Sequence, residues 1–244
     1  HSKVNNLFPN ASVRIVPHHY AHAISSIISA PFKHGTVITL DGTGSLLRSY
    51  DGSTIDYESS TLGYFDSFSL RTFPFNSNVN NFGELYSRKS FEIFSEKTGF
   101  TGDWHDEKIR QGIEGKIMGL SAYGSSYRSL NYILSDEFSG PPSVAFDSTD
   151  SVGDTADDKA YALQLTLEES LVDWLIELHE TGYLTENVCF AGGVFLNVLS
   201  NTIIKRLPFI KQVHIPPFTS DVGLHFGAAA SVLFCNKQEL VLPD

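Results

Sequence analysis

One stretch leaves this chain little freedom. Thr36-Val37-Ile38-Thr39-Leu40 is a continuous β-branched and apolar run without a polar face. Half-solvated strands alternate between apolar and polar residues, so a run of this kind reads as a strand buried on both sides. It ends in Asp41-Gly42-Thr43-Gly44. Glycines and a threonine directly after a buried strand turn the backbone tightly and present N–H groups to a phosphate. The aspartate can hold a metal or a water beside it. Asp-Gly is equally the two-residue turn of a type I′ or II′ hairpin. Both readings fit these residues. A second buried strand, Val188-Cys189-Phe190-Ala191, runs at once into Gly192-Gly193 and a helix start near Asn197. A helix N-terminus carries partial positive charge and seats a nucleotide phosphate, although a bare Gly-Gly also serves plain strand-to-helix turns.

Upstream lies Pro17-His18-His19-Tyr20-Ala21-His22-Ala23. His18 and His22 are four residues apart, so on a helix both imidazoles share one face, one turn apart. That geometry gives two nitrogen ligands to one metal ion. A third ligand would be an oxygen from far along the chain. The competing reading is an ordinary helix start with Pro17 in its first turn and solvated histidines. Imidazoles suit Zn, Fe, Cu or Ni.

The remaining pattern predicts a strand over 12–16, a helix from the histidines to about Pro31, an antiparallel set over 46–75 with a turn over 49–54, and a helix over 82–98. A loop is predicted over 99–112, and a mobile Ser/Asp/Gly/Pro-rich loop over 135–158. Residues 159–180 carry a stripe of Ala160, Leu163, Leu167, Leu171, Trp174, Leu175 and Leu178, which predicts the best helix. In Gly115-Lys116-Ile117-Met118-Gly119, a lysine between glycines offers a point charge to phosphate. The alternative is a tightly packed small-residue helix with Lys116 snorkelling. A strand over 213–215, closed by Pro216-Pro217, precedes Asp221, which opens a last helix and reads equally as its N-cap.

The net charge of −11 argues against broad nucleic-acid binding, which needs a basic face. The two cysteines form no disulfide framework, and no apolar run reaches the ~20 residues of a membrane span. The first ten residues lack the basic start and apolar core of a signal peptide. The expectation is a reduced, cytoplasmic protein.

Taken in order, the signals are His-His-x-Ala-His-Ala, Leu-Asp-Gly-x-Gly, Gly-Lys-x-Met-Gly-Leu-x-Ala-Tyr-Gly, Ala-Gly-Gly-Val-x-Leu-Asn and Pro-Pro-x-x-x-Asp-x-Gly-x-x-x-Gly-Ala-Ala. Together they resemble the O-carbamoyltransferases of the nodulation, cephamycin and tobramycin type, from about Pro17 to Ala230. Gly83-Glu84-Leu85-Tyr86 resembles that family's Gly-x-Leu-Tyr segment. The resemblance implies an α/β chain of the actin-like, Hsp70-like ATPase fold, built from ribonuclease-H-like lobes. The metal ligands and catalytic residues would be His18, His22 and Asp221. ATP or carbamoyl-adenylate would lie near Asp41, Gly42, Thr43, Gly44, Lys116, Gly119, Gly192, Gly193 and Asn197. The activity implied is metal-assisted carbamoyl transfer to a hydroxyl of a small molecule, with Fe or Zn as the ion and Mg accompanying the nucleotide. Alternatives are a non-catalytic nucleotide- and metal-binding subunit, and threonylcarbamoyl-type transfer to tRNA.

The family pattern places about a hundred residues before the histidines and a further adenylate-forming lobe at the end. Only 17 residues precede His18 here. The expected layout is therefore a first-lobe remnant over 1–35, a nearly complete second lobe over 36–215, and a C-terminal helix over 216–244 returning to the first lobe. A partner chain or a homodimer would complete it, docking on an apolar patch formed by Ile24, Ile27, Ile28, Phe226 and Val232.

Overall fold

The computed structural model describes residues 9–48, 55–67, 69–74, 81–103, 112–125 and 155–235. Its centre is the strand predicted to be buried on both faces. This strand, β1 (Gly35–Leu40), is buried at every position. It pairs antiparallel with β4 (Ser60–Phe65) and parallel with β6 (Asn187–Ala191). Outside these lie β5 (Leu70–Pro74), antiparallel to β4, and β7 (Gln212–His214), parallel to β6. The five-stranded order is β5-β4-β1-β6-β7. A separate small hairpin, β2 (Leu46–Arg48) with β3 (Ile55–Tyr57), is inserted between β1 and β4.

The two-residue period of a strand divides β1 between two cores. Ile38 and Leu40 join Val188 and Phe190 of β6 and Leu62 of β4 on one face. Helices α2 (Phe82–Thr98), α3 (Ile113–Leu120) and α4 (Ala156–Glu180) cover that face. The predicted stripe of α4 is the buried one, from Ala160 to Leu178. Val37 and Cys189 point to the other face, where they meet Ala23, Ile24 and Ile27 of α1 (His18–Ser29) and Ala230 of α6 (Leu224–Cys235). A short helix, α5 (Val198–Ile204), follows the turn after β6.

Several expectations need correction. Residues 12–16 form no strand. Asp41-Gly42 is not a type I′ or II′ hairpin turn: β1 pairs with β4, and neither Gly42 nor Gly44 has the positive φ those turns demand. Ile24 and Ile27 are buried by the sheet and α6 rather than left open for a partner. Helix α1 packs on β1 and β6, and α6 packs on α1 with Ala230 in the same cluster as Val37 and Cys189, so the described parts of the first and last segments are held on the middle one. The turn over 49–54 lies outside the described residues, as does the loop over 135–158 up to residue 154.

Close approach of α1 and α6 requires one glycine. A Cβ on Gly227 would stand 1.9 Å from the carbonyl oxygen of Ala21. Gly115 and Gly119 of α3 differ, since among the described residues a Cβ at either meets nothing within 4 Å. Tight packing against the described residues does not explain that motif. One substitution type should therefore act with opposite sign at two places. Gly227→Ala forces α6 off α1 and should destabilise by roughly 1–3 kcal/mol. Gly115→Ala should stabilise by about 0.5–1 kcal/mol, because an exposed helical glycine carries only an entropy cost. Urea denaturation of both variants checks the pair, and equal signs would refute this account of the packing.

Candidate metal centre

The carboxyl ends of β1 and β6 are side by side in the sheet, which is where open α/β sheets place their ligand sites. Asp41 follows β1 directly, and Gly192-Gly193 follows β6. Gly192 has φ of 98°, and a Cβ there would fall 2.0 Å from the Leu40 carbonyl oxygen, so only glycine lets the two strand ends meet. The Gly192 N–H donates to the Thr219 carbonyl at 2.9 Å, and Thr219 Oγ1 donates back to the Gly192 carbonyl at 3.2 Å. This double link fixes the segment that carries Asp221. Gly83, at the start of α2, lies against the Asp41-Gly42 peptide: a Cβ would fall 2.5 Å from the Asp41 carbonyl carbon.

Helix α1 supplies the other half. Ser45 Oγ accepts the N–H of His18 at 2.9 Å and satisfies the opening of the helix. His18 and His22 then face the strand ends from one side of α1. His22 Nε2 is 3.2 Å from His18 Nε2, 3.0 Å from Asp41 Oδ2 and 3.3 Å from Asp221 Oδ1. His18 Nε2 is 3.3 Å from both Asp41 Oδ2 and Asp221 Oδ1. All four ligand atoms lie within 4.8 Å of one another. Ligands bound at 2.0–2.2 Å to one ion stand roughly 2.9–3.5 Å apart, so these four residues fit a single divalent cation. Two nitrogens and two carboxylate oxygens suit Zn or Fe. The cradle is closed at the back and open in front: the His22 side chain is fully buried, whereas that of Asp221 is 69% exposed.

The solvated-histidine reading of α1 therefore does not hold, nor does the reading of Asp221 as a plain N-cap. Its carboxylate reaches His18 and His22, and the 3-10 turn it opens has no side-chain cap. The resemblance puts Asp41 near the nucleotide, and its own chemistry also allows it to hold a metal; the structure stands it with the two histidines and Asp221. The available signal was its position right after the central strand. Gly42, Thr43 and Gly44 lead from Asp41 to the small hairpin, and Gly193 flanks the Asp41 carboxylate: a Cβ there would be 3.1 Å from Oδ1. Asp41 and the two glycines of β6 are thus brought together as the motifs suggested. Asn197 is turned inward. It caps α5 through Ser200 and exchanges hydrogen bonds with Gln164 of α4, whose amide also donates to Glu168. Lys116 sits on the exposed side of α3 with its ammonium 5.2 Å from the centroid of the Phe94 ring. Gly119 lies on the same helix, which packs on α2 and α4.

Without an ion, protons must balance the two carboxylates. Hydrogen bonds to Asp221 and Asp41 lift His18 to about 9 against the opposing effect of burial. Burial pushes His22 down, but its bonds to the same carboxylates outweigh this and the net direction is upward. Burial raises Asp41, and the bonds from His18 and His22 overturn that and bring it to about 2. Bonds from the same histidines hold Asp221 well below the usual carboxylate range. His19, next to this group, is driven by burial to about 4 and stays neutral.

The signs give a test on metal-free protein. The folded value of His18 exceeds its unfolded 6.5, so its contribution is complete below pH 6.5 and lost as pH rises through about 9. Asp41 contributes above pH 3.8, and that contribution is lost as pH falls through about 2. His19 opposes folding as pH falls from 6.5 through about 4, because its buried ring must stay neutral. The melting temperature in chelator should therefore fall between pH 6.5 and 9, and His18→Gln should flatten that limb. An unchanged limb in the variant would refute the pairing.

Comparison with known proteins gives the geometry its setting. A family model described as "Carbamoyltransferase N-terminus" matches residues 6–140 and 135–230. An uncharacterized protein of Methanocaldococcus jannaschii is 27% identical over 89% of this chain and 37% of its own length. Nodulation protein U of Rhizobium fredii is 24% identical over 93% of this chain and 41% of its own. The crystal structure of T. kodakarensis HypF shares the fold with a TM-score of 0.51 and 14% identity, over 93% of this chain and 37% of that one. The chain thus spans about two fifths of the length of these relatives. The family match covers most of the described residues, including both histidines, Asp41 and Asp221, and on that ground the chain belongs to the carbamoyltransferase N-terminus family.

Proposed function

We propose that this chain is the acceptor-transfer part of a carbamoyltransferase, working on a carbamoyl group activated as carbamoyl-adenylate and passing it to a hydroxyl of a small molecule. One observation carries the reading: His18, His22, Asp41 and Asp221 converge at the carboxyl ends of two parallel strands in a chain of this family. The actin-like arrangement of ribonuclease-H-like lobes belongs to the same proposal, supported by one mixed sheet covered by helices on both faces.

In the reaction the acceptor oxygen bonds to the carbamoyl carbon as the bond to the nucleotide phosphate oxygen breaks, and the hydroxyl proton is released. An ion held by the four residues supplies Lewis acidity toward a carbonyl or acceptor oxygen. The chain's own residues do the rest. Buried His22 and half-buried Asp41 close the inner wall. Exposed Asp221 leaves the approach from solvent open to an acceptor. Gly42, Thr43, Gly44 and Gly193 offer the backbone that a nucleotide phosphate would approach, with buried Gly192 behind them and Lys116 and Gly119 as further candidates. The net charge of −11 favours a small acceptor over tRNA. Among the described residues no helix is long and apolar enough to cross a membrane, and a cytoplasmic site of action is part of the proposal.

Metal analysis tests the centre. The unmutated chain, reloaded with Zn or Fe, should hold one ion. His22→Ala, Asp41→Asn and Asp221→Asn should each lose it, and double variants should lose nothing further. Because ligation needs neutral imidazoles, affinity should fall as pH drops, opposite to the trend of metal-free stability. Far less than one ion per reloaded chain would remove the centre. Lys116→Ala should weaken nucleotide binding by about 1.5–3 kcal/mol, the range for hydrogen bonds to charged groups. Calorimetry showing equal affinity would take Lys116 out of the site.

A further inference from the structure

The middle histidine of the motif belongs to none of the groups above. His19 is fully buried, and its ring centroid is 5.8 Å from that of His18. Its Nδ1 is 2.7 Å from Thr61 Oγ1. Thr61 lies on β4, directly across the strand pair from Thr39 of β1, and the Thr39 hydroxyl reaches toward the His19 carbonyl at 3.5 Å. The far edge of the ring lies against Gly44: a Cβ there would fall 2.7 Å from His19 Cδ2 and 2.8 Å from Nε2. That Nε2 is buried without a hydrogen-bond partner among the described residues. A buried polar atom without a partner is unfavourable, so a phenyl ring would fill this space at lower cost. An imidazole is explained by what a phenyl lacks, a nitrogen at Nδ1 that fixes the ring's rotation against Thr61.

What stands on that wall is the turn that carries one of the metal ligands, Asp41. Asp41 N–H donates to the Ser59 carbonyl and Gly44 N–H to the Glu58 carbonyl. Ser45 accepts the first N–H of α1, that of His18. The path from Thr61 through His19 to Gly44 thus reaches Asp41 on one side and His18 on the other. We propose that His19 is a positioning residue of the metal centre: clamped by Thr61, its ring sets the 41–45 turn and so the separation of Asp41 from His18 and His22. The proposal rests on the metal reading above.

The test uses cobalt(II) as the probe, together with amide exchange on metal-free protein. His19→Phe keeps the ring and removes Nδ1. Thr61→Val removes the hydroxyl with its shape kept. Each should raise the cobalt dissociation constant about tenfold or more, as loss of a ligand's supporting contacts does. The double variant should add nothing to either single one. In metal-free protein the amides of Asp41 and Gly44 should exchange faster in both variants. Leu178→Ala, in the core on the opposite face of the sheet, should lower the melting temperature and leave cobalt affinity and both amides unchanged. Additive losses from the two variants would overturn the proposal. Cobalt affinity within twofold and unchanged protection at Gly44 in His19→Phe would do so as well. If the unmutated chain takes up no cobalt, the metal reading fails, while the amide comparison still decides what His19 does.

Discussion

Everything near the centre depends on burying histidines where a helix meets the ends of two strands. His22 is wholly out of solvent, and two carboxylates are brought to it. Such a group is unfavourable unless its charges are balanced, by protons on the imidazoles or by a cation. The chain meets this need with a rigid frame. Helix α1 cannot slide, because α6 crosses it at glycine contact distance. Asp41 cannot retreat, because Gly83 admits close contact with its backbone and Gly193 stands beside its carboxylate. The result is a site whose ligand atoms are held at spacings that suit one ion.

The same frame separates two kinds of polar residue that look alike in the sequence. Asp41 and Asp221 turn toward the opening. Asn197, from an equally suggestive motif, turns into the layer between α4 and α5, where Gln164 satisfies it. A buried amide pair of this type stiffens the turn after β6 and leaves Gly193, rather than the asparagine, beside the Asp41 carboxylate.

Much was legible beforehand. The run Thr36–Leu40 forced a strand with cover on both sides, and the 3.6-residue stripe of 160–178 forced a helix with one buried face, because each pattern has a single periodic solution. The i,i+4 spacing of His18 and His22 fixed their common face. The order of the motifs carried the family resemblance. Local chemistry could not say which side of the sheet α1 takes, so Ile24 and Ile27 read as exposed when they are core.

Other features were decided only by the tertiary structure. Asp41 becomes a neighbour of His22 because β1 lies beside β6 and beneath α1, a relation between segments up to about 150 residues apart. Asp221 reaches the same point through Thr219 and Gly192, a link invisible in either segment alone. His19 becomes a wall rather than a ligand because β4 places Thr61 at its Nδ1. Sequence fixes what a residue can do and which face of its own element it occupies, since those follow from local periodicity. Which partner it meets follows from strand order and helix crossing, which the burial of both faces of one sheet decides for the chain as a whole.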